Sequence, residues 1–224
     1  IPDNRRIKKQ WASRPEGGSV DHITSIEDIP LHKGDWLILA RTNDKLIKLK
    51  SILKEMAIYF EIKGRKSYKT RLYTAVKHYT RWTNGDKLSL SECKDLFEFL
   101  ELEQELKEER MYDLKEFNYS IEDQWYEVFK SDPEECLYIR EMLRNKEELS
   151  KPARVKLSTI HAAKGGEATN VLLILDNTKK IREAVDKSED KHDEEHRVWY
   201  VGVTRTKQNL YIMTPQREDR SYDI

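Results

Sequence analysis

The stretch Val155–Asp176 reads VKLSTIHAAKGGEATNVLLILD, and its pattern indicates how the chain folds. Two runs of strand-forming residues, VKLSTI and NVLLILD, enclose a polar segment that contains Thr, His, Lys, two Gly and Glu. In a parallel α/β sheet, ligands bind at the loops that follow the carboxyl ends of the strands. The segment STIHAAKGGE directly follows a strand, so its residues are placed to contact a ligand.

The residues before this stretch predict a strand, a helix and a second strand. DWLILART is an apolar run, NDKLIKLKSILKEMA repeats apolar residues at helical spacing with Asn43 or Asp44 as its cap, and IYFEI is a further strand. Short connections between such elements are typical of a parallel sheet. A helix within DEEHRVWYVGVTRTK and a final strand NLYIM complete the pattern, which predicts an α/β fold.

A change of character between residues 88 and 150 predicts an inserted domain. All of its segments have helical periodicity and none reads as a strand. We therefore expect residues 1–87 and 151–224 to form the α/β domain and residues 88–150 an all-helical insertion. The first twenty residues read as a lead-in or as a chain that enters partway through a larger fold, and TKKIREAVDKSEDKHDEEH reads as a surface loop that leads into a helix.

Composition limits the environment of the protein. The chain has 224 residues, of which 38% are hydrophobic and 37% charged. No apolar run approaches the ~20 residues that span a bilayer, and no signal peptide opens the chain, so we expect a cytoplasmic protein without a membrane partner. Cys93 and Cys136 lack metal-ligand spacing, and we expect both to be reduced and the chain to hold no metal.

Charge is distributed unevenly, although the net charge is zero. Residues 44–87 contain twelve Lys or Arg against four Asp or Glu, and residues 91–149 contain eight against nineteen. The first segment suits a polyanion and the second is repelled by one. Solvated helix faces are the alternative interpretation, favoured for the acidic segment.

Two groups of polar residues are candidates for a binding site. In STIHAAKGGE, Gly165 and Gly166 permit close approach of the backbone to a ligand, and Glu167 can accept a hydrogen bond from a sugar hydroxyl. Thr159 and His161 offer donors suited to phosphate oxygens. An ordinary turn with two glycines would account for this spacing equally well.

Two arginines form the second group. Arg205 follows a helical stretch in EEHRVWYVGVTRTK, where a guanidinium could stabilise charge on a transferring phosphoryl group. By itself it is more typical of a surface ion pair. Arg41 directly follows the strand WLILA, the same placement that STIHAAKGGE has after its own strand.

Together these segments resemble the motifs of UvrD/Rep/PcrA-type superfamily-1 DNA helicases. STIHAAKGGE resembles motif V (T-x-H-x-x-K-G-L-E), EEHRVWYVGVTRTK resembles motif VI and LILARTN is similar to motif IV, all in the family's order. The resemblance implies a RecA-like parallel sheet flanked by helices, the second (2A) of two such domains, with a reduced 2B-like insertion.

The resemblance also implies roles for individual residues. Arg41 and Arg205 would reach the γ-phosphate of ATP, and Gly165 and Glu167 would lie near the nucleotide. Thr159 and His161 would face single-stranded DNA. Lys69 and Arg71, in the basic helix after motif IV, match the family poorly but would be further DNA contacts.

This chain departs from the family pattern at several points. No G-x-x-x-x-G-K-[ST] occurs, and no apolar strand ends in an Asp-Glu pair, so the P-loop and the Mg²⁺ site would belong to an N-terminal RecA-like domain of the same protein. We therefore expect this part alone to be inactive. Gly166 stands where the family has a large apolar residue, and the insertion is short and acidic.

The resemblance implies ATP-driven movement of the intact protein along single-stranded DNA, with 3′ to 5′ polarity as the better expectation. ATP would close the cleft between the two RecA-like domains, and hydrolysis would open it. Two alternatives remain open at this point. The chain could be the helicase portion of an AddA/RecB-like nuclease-helicase, or a non-catalytic DNA-binding module that keeps only the fold.

Overall fold

A computed structural model gives the fold, and it describes residues 17–104, 106–117, 119, 124–163, 165–215 and 222. Nine strands and seven α-helices occur in these ranges. The strands are β1 (Ser19–Ile23), β2 (Trp36–Ala40), β3 (Phe60–Ile62), β4 (Arg65–Lys66), β5 (Leu88–Ser89), β6 (Met111–Tyr112), β7 (Val155–Thr159), β8 (Ala168–Ile174) and β9 (Thr206–Met213). The helices are α1 (Asn43–Glu55), α2 (Thr70–Thr83), α3 (Leu90–Leu100), α4 (Trp125–Val128), α5 (Pro133–Arg144), α6 (Lys179–Lys187) and α7 (Glu189–Val203).

The chain divides into two compact units. The first contains the described residues up to Arg65 and from Ser150 onward, and the second is Lys66–Leu149. The second unit therefore begins before residue 88, and α2 belongs to it. Sequence periodicity could not place this boundary, because α2 and the α/β helices have the same helical pattern.

The first unit is built on a seven-stranded sheet in the order β1-β9-β8-β2-β7-β3-β4. The pairs β1–β9, β9–β8, β8–β2, β2–β7 and β7–β3 are all parallel. This confirms the predicted α/β fold with a parallel sheet.

Alternate residues of the central strand enter separate cores on the two faces of this sheet. Ile38 packs on one face with Leu46 and Leu53 of α1. On the other face, Leu37 and Leu39 belong to the cluster that contains Trp199 of α7. Both faces of the sheet are thus covered by helices, as parallel sheets require.

Strand β1 begins within the last two residues of the predicted lead-in. It pairs with β9 from Ser19 to Ile23, where Val20 is 62% exposed and only Ile23 packs against the core, so its main-chain hydrogen bonds are its chief contacts. Side-chain periodicity does not encode such a strand. A Cβ on Gly18 would lie 2.2 Å from the carbonyl oxygen of Gln208, which shows how closely the two backbones approach. Residues 1–16 of the predicted lead-in lie outside the described residues.

Helix α6 and the cap of α1 also differ from expectation. Residues 179–187, predicted as loop, form α6, in which Ile181, Ala184 and Val185 recur at helical spacing although none of its residues is fully buried. Thr178 caps it through a hydroxyl that accepts from the backbone N–H of Ile181. Helix α1 begins at Asn43, and its cap residue is Thr42 rather than Asn43 or Asp44.

The second unit is mostly helical but not entirely so. Strands β5 and β6 form a small antiparallel sheet, with Leu88 opposite Tyr112, which corrects the expectation of an all-helical insertion. Each strand has only two residues, too few to show a period of two. The core of the second unit is aromatic, with Trp82 packed against Phe97 and Phe117. Residues 120–123 of the predicted helix around SIEDQWYEVFK lie outside the described residues.

Candidate functional site

Three of the predicted site residues lie together at the carboxyl edge of the first unit's sheet. Arg41 follows β2, while Thr159 and His161 stand at the end of β7, and the register pairs Ala40 with Thr159. One nitrogen of the Arg41 guanidinium, Nη1, lies 3.4 Å from Nδ1 of His161. The rule for parallel strands therefore placed these residues correctly relative to one another.

Arg41 is held by a residue that sequence analysis missed. Its Nε donates to both carboxylate oxygens of Glu195 at 2.9 and 3.0 Å, and its Nη2 donates to Oε2 at 2.9 Å. Glu195 is only 3% exposed, so this is a buried carboxylate satisfied by an arginine fork.

A signal for Glu195 exists in the sequence. On α7, residues 195, 199 and 202 share one helical face by their spacing, and Glu195, Trp199 and Gly202 are all buried. A carboxylate on an otherwise buried helical stripe needs a cationic partner. The spacing does not identify that partner, because Arg41 lies 154 residues away in sequence.

The connection from β7 to β8 begins with a tight turn. The carbonyl oxygen of Thr159 accepts from the backbone N–H groups of Ala162 and Ala163, each at 3.0 Å, and its hydroxyl accepts from Ala162 at 3.3 Å. The apolar residues of this turn, Ile160 and Ala163, pack in the core beside Trp199. The alternation of apolar and polar residues thus fixes the turn to the sheet and leaves His161 exposed.

The two glycines of this connection have different conformations. Gly165 has a φ of +84°, a left-handed conformation that favours glycine, and a Cβ there would meet no described atom within 4 Å. Gly166 donates its N–H to the carbonyl oxygen of Ala163 at 2.9 Å. Lys164, between Ala163 and Gly165, lies outside the described residues.

Glu167 and Arg205 lie at the opposite edge of the sheet. The backbone N–H of Ala168, the residue after Glu167, donates to the carbonyl oxygen of Arg205 at 3.1 Å. The Arg205 guanidinium folds back on the end of α7, where Nε donates to the carbonyl oxygen of Val201 at 3.0 Å. Nη2 contacts the hydroxyl of Thr204 at 3.2 Å. Arginine at a helix carboxyl end satisfies carbonyls that have no partner within the helix.

The two predicted phosphate ligands are therefore separated. Arg41 follows the carboxyl end of β2, and Arg205 precedes the amino end of β9, a strand that runs in the same direction. About 9 Å of helix axis lies between residues 195 and 201, which hold the two guanidinium groups. One phosphate would contact both guanidinium groups only after at least one of them moved.

Lys69 and Arg71 belong to the other compact unit, where both are paired with acidic residues. Lys69 Nζ lies 3.7 Å from an oxygen of Asp132. Arg71 forms a two-point contact with Glu98, in which Nη1 donates to Oε1 at 3.0 Å. Both residues thus have acidic neighbours within their own unit, and their assignment to DNA stays a prediction.

Other expectations concern metals, thiols and the membrane. Within the described part of the chain, no group of three or more His, Cys, Asp or Glu side chains could hold a metal ion. Cys93 and Cys136 are free and buried, and burial raises the pKa of the Cys93 thiol to about 11. Among the described helices, none is long and apolar enough to cross a membrane.

Comparison with known families adds to this geometry. The family model of the UvrD-like helicase C-terminal domain matches residues 65–217, more than half of the chain. The chain belongs to the UvrD-like helicase C-terminal domain family. The matched region of this helicase domain includes Thr159, His161, Glu167 and Arg205, whereas Arg41 precedes it. None of the curated proteins compared with the chain matches it.

Proposed function

We propose that this helicase domain supplies an arginine finger to an ATP site and contacts single-stranded DNA, within an ATP-dependent translocase. The observation that supports the proposal most is the backbone hydrogen bond from Ala168, the residue after Glu167, to Arg205 at one edge of the sheet, in a domain of the UvrD-like helicase family. The proposal requires an N-terminal RecA-like domain to provide the phosphate-binding loop and to hold Mg²⁺, since this chain contains neither a P-loop nor a paired acidic strand end.

The proposed nucleotide contacts are Arg205, Glu167 and Gly165. Arg205 is only partly buried and is held by two neutral acceptors, a carbonyl and a hydroxyl, rather than by a carboxylate. A phosphate oxygen would be a stronger partner than either, because a charge-assisted hydrogen bond is about twice as strong as a neutral one. Glu167 is exposed, and its carboxylate could accept from a ribose hydroxyl.

Arg41 is proposed to contact the nucleotide only after its hydrogen bonds to Glu195 break. In the present arrangement its Nε and Nη2 donate to a buried carboxylate, so a γ-phosphate must compete with that pair. Closure of the cleft on ATP would supply the competing charge, and hydrolysis would return Arg41 to Glu195.

The proposed DNA contacts are Thr159 and His161 at the carboxyl edge of the sheet. Both lie outside the buried core, and short polar side chains of this kind bind phosphate oxygens without reading sequence. Repeated closing and opening of the cleft would then move the domain along the strand. We propose 3′ to 5′ movement from the resemblance of the β7–β8 connection to motif V of the UvrD type.

Replacement of Arg205 tests the finger assignment in the complete protein. Arg205→Ala should lower kcat for ATP by about 10³-fold, because an arginine finger typically contributes 10³ to 10⁵. Affinity for single-stranded DNA should stay near that of the wild type. Arg197→Ala, at an exposed position on the same helix, is the matched control and should retain activity. If kcat of Arg205→Ala stays within about tenfold of the wild-type value, the finger assignment fails.

A complete wild-type protein that binds DNA but does not hydrolyse ATP would instead indicate a non-catalytic binding module.

A further inference from the structure

We propose that Asp35 is a positioning residue for the nucleotide contacts, because it holds the irregular start of β8 that follows Glu167 and bonds to the backbone of Arg205. The proposal rests on the function proposed above, which assigns Glu167 and Arg205 to the nucleotide. Its structural part, the effect of Asp35 on the start of β8, can be tested without any activity.

The three residues lie at the same edge of the first unit's sheet. Asp35, Glu167 and Arg205 directly precede β2, β8 and β9, which are parallel neighbours with β8 in the middle. Asp35 therefore contacts the start of β8 from one side, and the backbone of Arg205 contacts it from the other.

The pairing of β8 with β9 is irregular beside Arg205. The partners of Ala168 and Asn170 are three residues apart on β9, although these two residues are only two apart on β8. Such a mismatch is a β-bulge, which interrupts the ladder and redirects the backbone at a strand end. The bulge follows directly after Ala168, whose N–H donates to the carbonyl oxygen of Arg205.

Asp35 accepts hydrogen bonds from two consecutive backbone N–H groups of β8 at the bulge. Its Oδ2 accepts from the N–H of Thr169 at 2.8 Å, and its carbonyl oxygen accepts from the N–H of Asn170 at 3.2 Å. In a regular strand, consecutive N–H groups point to opposite neighbours. The Asp35 carboxylate therefore supplies the acceptor for an N–H group that the bulge turns away from the regular ladder.

The side chain of Asn170 ties β8 to both of its neighbours at the same level. Nδ2 donates to the carbonyl oxygen of Asp35 at 3.1 Å, and Oδ1 accepts from Nδ2 of Asn209 on β9 at 2.9 Å. Asn170 is only 9% exposed, so these bonds are largely shielded from water. Gly34 leaves room for this amide, since a Cβ there would lie 2.9 Å from Nδ2, and its φ of +72° also favours glycine.

These contacts determine where the two proposed nucleotide contacts stand. Without the Asp35 carboxylate, Thr169 loses a charge-assisted hydrogen bond, and the start of β8 is free to shift relative to Arg205. An arginine finger acts only when its guanidinium reaches the transferring phosphoryl group. A displacement of about 1 Å at such a site can cost about 10²-fold in rate.

The first measurement is hydrogen exchange of the complete protein, read at the amide of Thr169. Asp35→Ala should speed this exchange about tenfold, the effect of losing a hydrogen bond to a charged group. Asp35 is exposed, so the replacement leaves the core intact. Asp35→Asn keeps an oxygen that can accept from Thr169 and should preserve most of the protection. Asp21→Ala, at an exposed position on β1 of the same sheet, is the control and should change nothing.

The second measurement is the ATPase kcat of the complete protein. Asp35→Ala should lower it about tenfold or more through misplacement, and Asp35→Asn should restore most of the loss. A positioning residue acts through the group that it positions, so Asp35→Ala should have almost no further effect in protein that already carries Arg205→Ala. A general loss of folded protein would instead lower kcat by the same factor in both backgrounds.

The proposal stands if Asp35→Ala speeds exchange at Thr169 and its effect on kcat disappears in the Arg205→Ala background. Unchanged exchange at Thr169, or equal factors in the two backgrounds, overturns it. If Arg205→Ala alone leaves kcat within about tenfold of the wild-type value, the finger assignment fails and the role of Asp35 toward the nucleotide fails with it. The exchange comparison then decides separately whether Asp35 holds the start of β8.

Discussion

Gly202 of α7 lies directly against Leu173 of β8, so closely that a Cβ on the glycine would approach Cδ1 of Leu173 to 2.9 Å. A side chain of Ile160 lies 3.5 Å from the same point. Both neighbours are fully buried and cannot move far. Glycine is a poor helix former, so its presence here reflects the close approach of α7 to the sheet.

Replacement of Gly202 by valine should therefore destabilise the protein. We expect Gly202→Val to lower the free energy of unfolding by about 1–3 kcal/mol, the usual cost of overpacking a core. Urea denaturation would measure this loss. Valine is a better helix former than glycine, so helix propensity alone would stabilise Gly202→Val, and an unchanged or increased stability would show that contact with Leu173 does not constrain this position.

The ion pair between Arg41 and Glu195 should be strongly non-additive in stability. Arg41→Met leaves the Glu195 carboxylate, whose side chain is 4% exposed, without its cation and should cost about 3 kcal/mol. The double variant Arg41→Met with Glu195→Leu should recover much of that loss, because no buried charge remains. A double-mutant cycle by chemical denaturation measures the coupling, and simple additivity of the two single losses would contradict it.

Much of the sheet could be predicted from the sequence. Strands β2 and β8 are apolar runs that are mostly buried on both faces, which is typical of central parallel strands, whereas β7 buries Val155 and Leu157 and exposes Lys156. Because parallel strands present their carboxyl ends at one edge, Arg41 and His161 could also be expected to lie together. Strand β1 and helix α6 could not be predicted in this way, since neither has a buried apolar face.

The arrangement of the site was less predictable. Arg205 follows a fifteen-residue helix that runs back across the sheet, so its position depends on the length and direction of α7 and not on its motif. The expectation that Arg41 and Arg205 reach the same phosphate stays a prediction, which requires at least one guanidinium to move. The partner of Arg41 was missed because Glu195 lies 154 residues away in sequence.

A pH-dependent contact lies in the second unit, at Glu116. The hydrogen bond from the Arg110 side chain, followed by one from the backbone N–H of Asp113, lowers the pKa of Glu116 from 4.5 to about 2. A carboxyl with a depressed pKa stabilises the fold fully above its unfolded-state value. The contribution of Glu116 should therefore be complete above pH 4.5 and decline as the pH falls toward 2.

Carboxyl NMR can test this contact directly. The resonance of Glu116 should titrate near pH 2 in the wild type, and Arg110→Ala should move its midpoint toward 4.5. Arg144→Ala, which removes an exposed arginine that pairs with Glu141 instead, is the control and should leave the midpoint of Glu116 unchanged. A Glu116 midpoint near 4.5 in the wild type would mean that Arg110 does not hold it in solution.

Lys69 and Arg71 should contribute little to DNA affinity if their ion pairs persist in solution. A phosphate-binding cation releases a counterion on binding, so its loss reduces the slope of log affinity against log salt by about 0.7 on single-stranded DNA. Arg71→Gln should leave this slope unchanged, because Glu98 already neutralises the guanidinium. Fluorescence anisotropy of a labelled oligonucleotide at several salt concentrations would measure the slope.

Removal of the acidic partner gives the complementary result. Glu98→Gln removes the nearer of the two carboxylates beside Arg71 and leaves Asp95 at 3.9 Å, so DNA affinity should rise and the salt dependence steepen if α2 lies within reach of the strand. No change in Glu98→Gln would place α2 away from DNA altogether. A loss of slope in Arg71→Gln alone would show that DNA outcompetes Glu98, and it would return Arg71 to the DNA-binding residues that the helicase motifs first indicated.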